Sequence, residues 1–100
     1  MQTLRVLVVD DELGMRLAVA RVLGTFVVHL NEEVGGEIHF EVQTAESGEQ
    51  AIELMTSQPA PDLLLLDLKM PGISGLEVLA QMRERNLHPL TVMITAYATL

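Results

Sequence analysis

Apolar residues are grouped along the chain in short blocks that predict four strands. Three of these blocks span residues 4–9, 62–67 and 91–95, and each ends at or just before a polar residue. Short blocks that are mainly apolar, without alternation of apolar and polar residues, are typical of parallel strands that are covered on both faces. Residues 38–42 instead alternate between apolar and polar side chains, which predicts a strand with one wet face at the edge of the sheet.

A helical pattern follows the first strand. Apolar residues recur every three or four positions from Met15 to Leu30, so one stripe of a helix is expected to face a core. Gly24 interrupts this pattern and would cost about 1 kcal/mol relative to alanine inside a helix. A break at Gly24, followed by a short irregular segment, is therefore the alternative.

Two capping boxes predict the starts of two further helices. Ser47 is followed three residues later by Gln50, and Ser74 is followed by Glu77 at the same spacing. The apolar positions after the second box predict which side of that helix faces inward, and they are Leu76, Leu79, Ala80 and Met82.

Strands that alternate with helices predict an α/β protein with a doubly wound parallel sheet, formed as one domain by residues 1–100. In such a sheet the functional site lies beyond the carboxyl ends of the strands. Three places in this sequence meet that description: the pair Asp10 and Asp11, Asp67, and Thr95.

Composition narrows the class of protein. Apolar residues make up 49% of the chain, there is no cysteine, and no apolar run, including the one at residues 63–66, is longer than four residues. Thiol chemistry is thereby excluded, and a cytoplasmic protein without a membrane segment is expected. The formal charge of -8 argues against direct binding of nucleic acid, since such a surface repels phosphates. This acidity serves either solubility or a metal site.

Carboxylates at neighbouring strand ends predict a magnesium site. Two like charges ~4 Å apart repel by about 4 kcal/mol at an effective dielectric near 20, so a cluster of Asp10, Asp11 and Asp67 would raise carboxylate pKa values or destabilise the fold. A divalent cation would remove this repulsion. Hard oxygen ligands in a partly hydrated site favour Mg²⁺. The alternative is that each carboxylate is simply solvated or caps the helix that follows it.

Three segments resemble the successive motifs of bacterial response regulator receiver domains. They are VVDDE at residues 8–12, DLKMPG at residues 67–72 with Gly75, and ITAY at residues 94–97. The resemblance covers the whole chain and implies the flavodoxin-like receiver fold. It also implies a signalling domain that is not itself an enzyme and that receives a phosphoryl group from a histidine kinase or a phosphotransfer protein.

The resemblance implies a role for each acidic residue. Asp67 would be the phosphoacceptor. Asp11, Asp67 and the backbone carbonyl of Lys69 would bind Mg²⁺ directly, and Asp10 would act through a metal-bound water.

Other implied roles concern the mouth of the site. Thr95 would contact the phosphoryl group and act as the switch, while the side chains of Lys69 and Tyr97 would tune the access of water or be ordinary surface residues. Pro71 and Gly72 have a backbone reason of their own, because proline fixes φ and glycine permits a tight turn.

The chain departs from the family pattern in two places. Residues 24–36 hold an insertion, which would be a surface loop or an element used in dimerisation or partner choice. The family's lysine on a fifth strand and its final helix are missing, so we expect a C-terminally incomplete domain. If the polypeptide instead ended at Leu100, the strand at residues 91–95 would be an open sheet edge that self-associates. Residues 95–99 resemble the nitrogen-regulation type of enhancer-binding activators, which implies an output domain beyond residue 100. The three histidines show no ligand spacing along the chain.

Two alternative functions are considered. A receiver-like module that binds partners without phosphorylation would explain the missing lysine. An aspartate-nucleophile phosphatase of the haloacid dehalogenase type would need a second acid two residues after Asp67, but position 69 is lysine.

Overall fold

A computed structural model describes residues 2–94. This part of the chain forms a five-stranded sheet in the order β2-β3-β1-β4-β5 together with three helices. All neighbouring strands are parallel except β2 and β3, which confirms the predicted α/β class and flavodoxin-like fold. The elements are β1 (Gln2–Val9), α1 (Leu13–Thr25), β2 (Val27–His29), β3 (Glu37–Ala45), α2 (Gly48–Thr56), β4 (Leu63–Asp67), α3 (Gly75–Glu84) and β5 (Leu90–Ile94).

The core lies between one face of the central strands and the helices α2 and α3. Leu64 and Leu66 of β4 are fully buried there, whereas Leu63 and Leu65 point to the opposite face and are less buried. Both predicted helix starts are confirmed, because the hydroxyls of Ser47 and Ser74 accept hydrogen bonds from the backbone N–H groups of Gln50 and Glu77. The principal buried apolar residues are Leu7, Val9, Ala45, Ala51, Met55, Leu64, Leu66, Val78 and Met82.

The prediction that one helix reaches Leu30 is wrong, and the alternative break near Gly24 is confirmed. Helix α1 ends at Thr25, and the segment after it is the strand β2 rather than an irregular stretch. Val27 and Val28 are β-branched and favour a strand, and the turn before β3 contains two glycines with positive φ, Gly35 and Gly36. The residues assigned to an insertion therefore close a β-hairpin.

The edge position predicted for residues 38–42 is also wrong. These residues belong to β3, and β2 pairs with its outer side, so that β3 lies inside the sheet. Phe40 turns toward the end of α1, where its ring centroid is 6.3 Å from that of Phe26.

No residue of α1 is buried, so the predicted apolar stripe of this helix is only partly covered in the described structure.

The inner face predicted for α3 is wrong in two of its four positions. Met82 is buried and Leu79 is half-buried, but Leu76 is 61% exposed and Ala80 is exposed. The residue that fills the core instead is Val78, which the sequence pattern did not select.

Strand β5 is the outer strand of the described sheet, and the residues that follow it lie outside the described range. The predicted open edge therefore stays a prediction. Within residues 2–94, no helix has both the length and the apolar character needed to cross a membrane.

Candidate functional site at the carboxyl end of the sheet

Three carboxylates meet where β1 and β4 end. The two strands are parallel neighbours with Val9 opposite Leu66, so Asp10 and Asp67 follow at the same level. Oxygen atoms of Asp10, Asp11 and Asp67 all lie within 4.8 Å of one another. We call these three residues the acid cluster.

Asp10 is the most buried member of the acid cluster. It is only 8% exposed, and its backbone N–H donates to the carbonyl of Ala45 at the end of β3. Its carboxylate Oδ1 accepts a hydrogen bond of 2.9 Å from the backbone N–H of Glu12. Asp11 is exposed, so its carboxylate is open to solvent and to an arriving ligand.

The pKa of Asp67 is raised above its ordinary value. Burial is the main cause, and the negative charges of Asp10 and Asp11 add to it, while a 3.2 Å hydrogen bond from the Lys69 N–H to Oδ1 acts in the opposite direction. The carboxylates of the acid cluster thus repel one another, and a bound cation would offset this repulsion. Because protons compete with a cation for Asp67, cation binding is expected to weaken as the pH falls through this raised pKa.

The acid cluster fits Mg²⁺ by the chemistry of its donors. All three side chains offer carboxylate oxygens, which this hard cation prefers, and the cluster is buried on one side and exposed on the other. A partly open site of this kind leaves room for the water molecules that Mg²⁺ retains.

The loop after Asp67 makes a tight turn, as Pro71 and Gly72 led us to expect. Gly72 has a φ of 79°, which is strained for any residue with a Cβ. The helix α3 then returns against the end of β4, where the Gly75 N–H donates to the carbonyl of Leu68. A Cβ at Gly75 would lie 2.5 Å from the backbone oxygen of Asp67.

Replacement of Gly75 by alanine is therefore expected to destabilise the fold by about 1–3 kcal/mol, because the clash is with backbone that cannot move aside. Urea unfolding measures this loss. The matched control is Gly14→Ala, since Gly14 is also helical but a Cβ there would have no neighbour within 4 Å, and it should stabilise the protein by about 0.5–1 kcal/mol. Equal stability of Gly75→Ala and wild type would contradict this account of the close contact.

Sequence reasoning missed Arg16, which supports the acid cluster from α1. Its guanidinium donates a 2.7 Å hydrogen bond to the backbone carbonyl of Asp10, and its side chain is only 12% exposed. It also approaches the carboxylate of Glu46 at 4.0 Å. The only available signal was a basic residue one turn into the predicted helix, which does not reveal that it points back at the strand end.

Glu49 was also missed. Its carboxylate accepts a 3.3 Å hydrogen bond from the N–H of Ile73, in the loop that follows Asp67. Beside it, Gly48 packs so closely on Ile73 that a Cβ there would lie 2.5 Å from the Ile73 side chain. The start of α2 therefore holds the loop in place.

Two predicted site residues, Thr95 and Tyr97, lie outside the described residues. Lys69 lies in the loop with an exposed side chain, and its backbone N–H contacts Asp67. The roles of all these residues, and those of the acid cluster, stay predictions.

Comparisons with known proteins all identify relatives from one family. A sequence model of the response regulator receiver domain matches residues 6–100. The chain is 32% identical over 96 residues to sporulation initiation phosphotransferase F of Bacillus subtilis, which covers 96% of this chain and 67% of that protein. It is 37% identical over 94 residues to the positive alginate biosynthesis regulatory protein of Pseudomonas aeruginosa, which covers 94% of this chain but only 34% of that protein.

Solved structures agree. The crystal structure of the response regulator TrrA of Thermotoga maritima in complex with Mg²⁺-BeF matches with a TM-score of 0.72 at 38% identity, covering 98% of this chain and 72% of TrrA. The crystal structure of TrrA in complex with the histidine kinase ThkA matches with a TM-score of 0.72 at 37% identity, covering 99% of this chain and 72% of that one.

Proposed function

This chain belongs to the response regulator receiver domain family, and from that premise we propose that it accepts a phosphoryl group on Asp67 in the presence of Mg²⁺. The observation that carries the proposal is the acid cluster, which gathers Asp67 with two further carboxylates at the carboxyl end of the sheet. Receiver domains are signalling domains, so the reaction changes the protein itself rather than a separate substrate.

The proposed step is an in-line displacement at phosphorus. A carboxylate oxygen of Asp67 attacks the phosphorus atom and forms an acyl phosphate, while the bond from phosphorus to the donor breaks and the donor leaves with its electron pair. The raised pKa of Asp67 marks its ionised form as destabilised before reaction. Hydrolysis of the acyl phosphate later returns the carboxylate and releases inorganic phosphate.

The residues that would hold the metal are Asp11 and Asp67, with the backbone carbonyl of Lys69 as a third ligand and Asp10 acting through water. Bound Mg²⁺ would supply positive charge that offsets the acid cluster and the phosphoryl oxygens. Two hydrogen bonds fix Asp10, one made by its own backbone and one by the Glu12 N–H. The carboxylate of Asp10 is thereby held in place at the end of β1.

We also propose roles for residues near Asp67 and for the partners that donate the phosphoryl group or respond to it. Thr95 would contact the phosphoryl group and switch the conformation, and the side chains of Lys69 and Tyr97 would tune the lifetime of the acyl phosphate. A histidine kinase or a phosphotransfer protein would be the cytoplasmic donor, which is supported by the complex of TrrA with ThkA. The unmatched two thirds of the Pseudomonas regulator support an output domain in a longer protein. A homodimer stays a prediction.

Phosphorylation from a small donor tests the proposal. Incubation with Mg²⁺ and acetyl phosphate is expected to add one phosphoryl group to the protein, visible by intact mass and removed by mild base, as acyl phosphates are. Chelation of the metal should prevent the addition. A chain that keeps its fold and binds Mg²⁺, yet gains no mass under these conditions, would instead support the receiver-like binding module.

A further inference from the structure

All three polar groups of Asp10 have partners, and the shortest of these contacts comes from Arg16 of α1. The Asp10 N–H donates to the carbonyl of Ala45 at 3.1 Å, and its carboxylate accepts from the N–H of Glu12 at 2.9 Å. The guanidinium of Arg16 donates to the backbone carbonyl of Asp10 at 2.7 Å. A charged donor makes such a bond stronger than one between neutral groups.

The position of Arg16 in the first turn of α1 explains this contact. Side chains of an α-helix lean toward its N-terminus, so a long side chain here reaches back to the strand that precedes the helix. The backbone N–H of Arg16 donates to the carbonyl of Glu12 at 3.1 Å, which fixes the base of the side chain. The side chain itself is only 12% exposed. Arg16 therefore holds the loop between β1 and α1 through its backbone and through its guanidinium.

The bond from Arg16 to the Asp10 carbonyl constrains Asp11 as well. The carbonyl of Asp10 and the N–H of Asp11 belong to one planar peptide group, so a donor on the oxygen restricts the rotation of the whole plane. The side chain of Asp11 is exposed, and the direction in which it leaves the chain follows from this backbone. We propose that Arg16 is a positioning residue that holds the peptide group from which Asp11 would bind Mg²⁺, a role that rests on the function proposed above.

Electrostatics and positioning make opposite predictions for the loss of Arg16. A guanidinium beside a cation site repels the arriving ion, so removal of its charge alone would strengthen Mg²⁺ binding. Removal of a group that orients a ligand weakens binding instead, typically by roughly 10–100-fold. The second contact of Arg16, at 4.0 Å, is with the carboxylate of Glu46, which is 72% exposed, and exposed ion pairs contribute little. The contact with Asp10 is therefore the one that is expected to matter for the metal.

Calorimetric titration of the whole chain with Mg²⁺ tests this role, at a temperature where every variant is folded. Arg16→Met keeps an unbranched apolar side chain but removes the guanidinium, and it is expected to weaken Mg²⁺ binding about tenfold. The matched control is Arg21→Met, which removes an exposed arginine from the same helix and should bind Mg²⁺ like wild type. Glu46→Gln should bind like wild type as well. Affinity of Arg16→Met that equals or exceeds that of wild type would overturn the proposal, and so would an equal loss in either control.

Nuclear magnetic resonance of the metal-free wild-type protein provides a readout that depends neither on the metal nor on the folding of variants. The guanidinium N–H signals of Arg16 should exchange slowly with water, whereas those of the exposed Arg21 should exchange fast. Equally fast exchange of both would refute the hold of Arg16 on the loop.

The two experiments also separate this role from the proposed function. A wild-type protein that binds no Mg²⁺ would contradict the proposed metal site, and the role of Arg16 would fall with it. Normal Mg²⁺ binding without phosphorylation would contradict only the proposed phosphoacceptor function. Normal phosphorylation of wild type together with undiminished Mg²⁺ binding by Arg16→Met would contradict only the role of Arg16.

Discussion

Asp67→Asn is expected to abolish phosphorylation by acetyl phosphate. An amide oxygen has neither the negative charge nor the nucleophilicity of the carboxylate that would attack phosphorus. The wild-type protein should gain one phosphoryl group in the presence of Mg²⁺, whereas the Asp67→Asn protein should show no added mass over the same time. Intact mass spectrometry after quenching in acid measures both.

The substituted protein is expected to remain folded, so that loss of labelling reports on chemistry. The folded state raises the pKa of Asp67, which means that its stabilising contribution is present below the unfolded-state pKa and is lost as the pH rises through the folded-state value. At neutral pH the ionised carboxylate of Asp67 therefore destabilises the folded state slightly. A neutral amide of the same shape removes this destabilisation. The thermal midpoint of Asp67→Asn without metal should equal or exceed that of wild type.

Asp62→Asn is the matched control, because Asp62 lies just before the other end of the same strand. Its carboxylate accepts a hydrogen bond from the backbone N–H of Arg5, far from the acid cluster. This variant should label as fully as wild type. Labelling of Asp67→Asn at the wild-type level would show that the phosphoryl group is placed on another residue.

Strand positions were predictable where the sequence pattern was compatible with a strand and not with a helix. Residues 4–9 and 63–66 are too apolar for any exposed element and too short for a buried helix, so a buried strand was the remaining choice. Residues 26–30 were different. Phe26, Val27 and Leu30 continue a helical stripe, yet the same residues also fit a strand, and pairing with β3 decided between them. Such long-range pairing is not encoded in local periodicity.

The acid cluster was predictable because strand ends carry their residues to one edge of a parallel sheet. The residues that support it were not. Arg16 contributes through its guanidinium contact with a backbone carbonyl, and Glu49 through a loop amide 24 residues away. Both contacts depend on the rotation of a helix about its axis, which no motif specifies.

Asp11→Ala is expected to remove most of the affinity for Mg²⁺, and Asp10→Ala to reduce it less. Asp11 is exposed, so its carboxylate can bind the ion directly. Asp10 is buried, and one of its oxygens already accepts from Glu12. A residue that acts through water contributes less to affinity than a direct ligand. Loss of a residue that supports a metal from outside its direct ligands typically costs roughly 10–100-fold in affinity, so a loss near the lower end of this range is expected for Asp10→Ala and a larger one for Asp11→Ala.

Calorimetric titration with Mg²⁺ at fixed ionic strength measures these affinities. The ionic strength must be held constant, because a chain of formal charge -8 attracts cations without a specific site. Glu12→Ala is the control, since Glu12 is an exposed acid in the same loop whose carboxylate is not part of the acid cluster, and it should bind Mg²⁺ like wild type. If Asp10→Ala and Asp11→Ala both bound Mg²⁺ as tightly as Glu12→Ala, the metal site would have to lie elsewhere in the protein. A uniform decrease in all three variants would identify the binding as general attraction to an acidic surface.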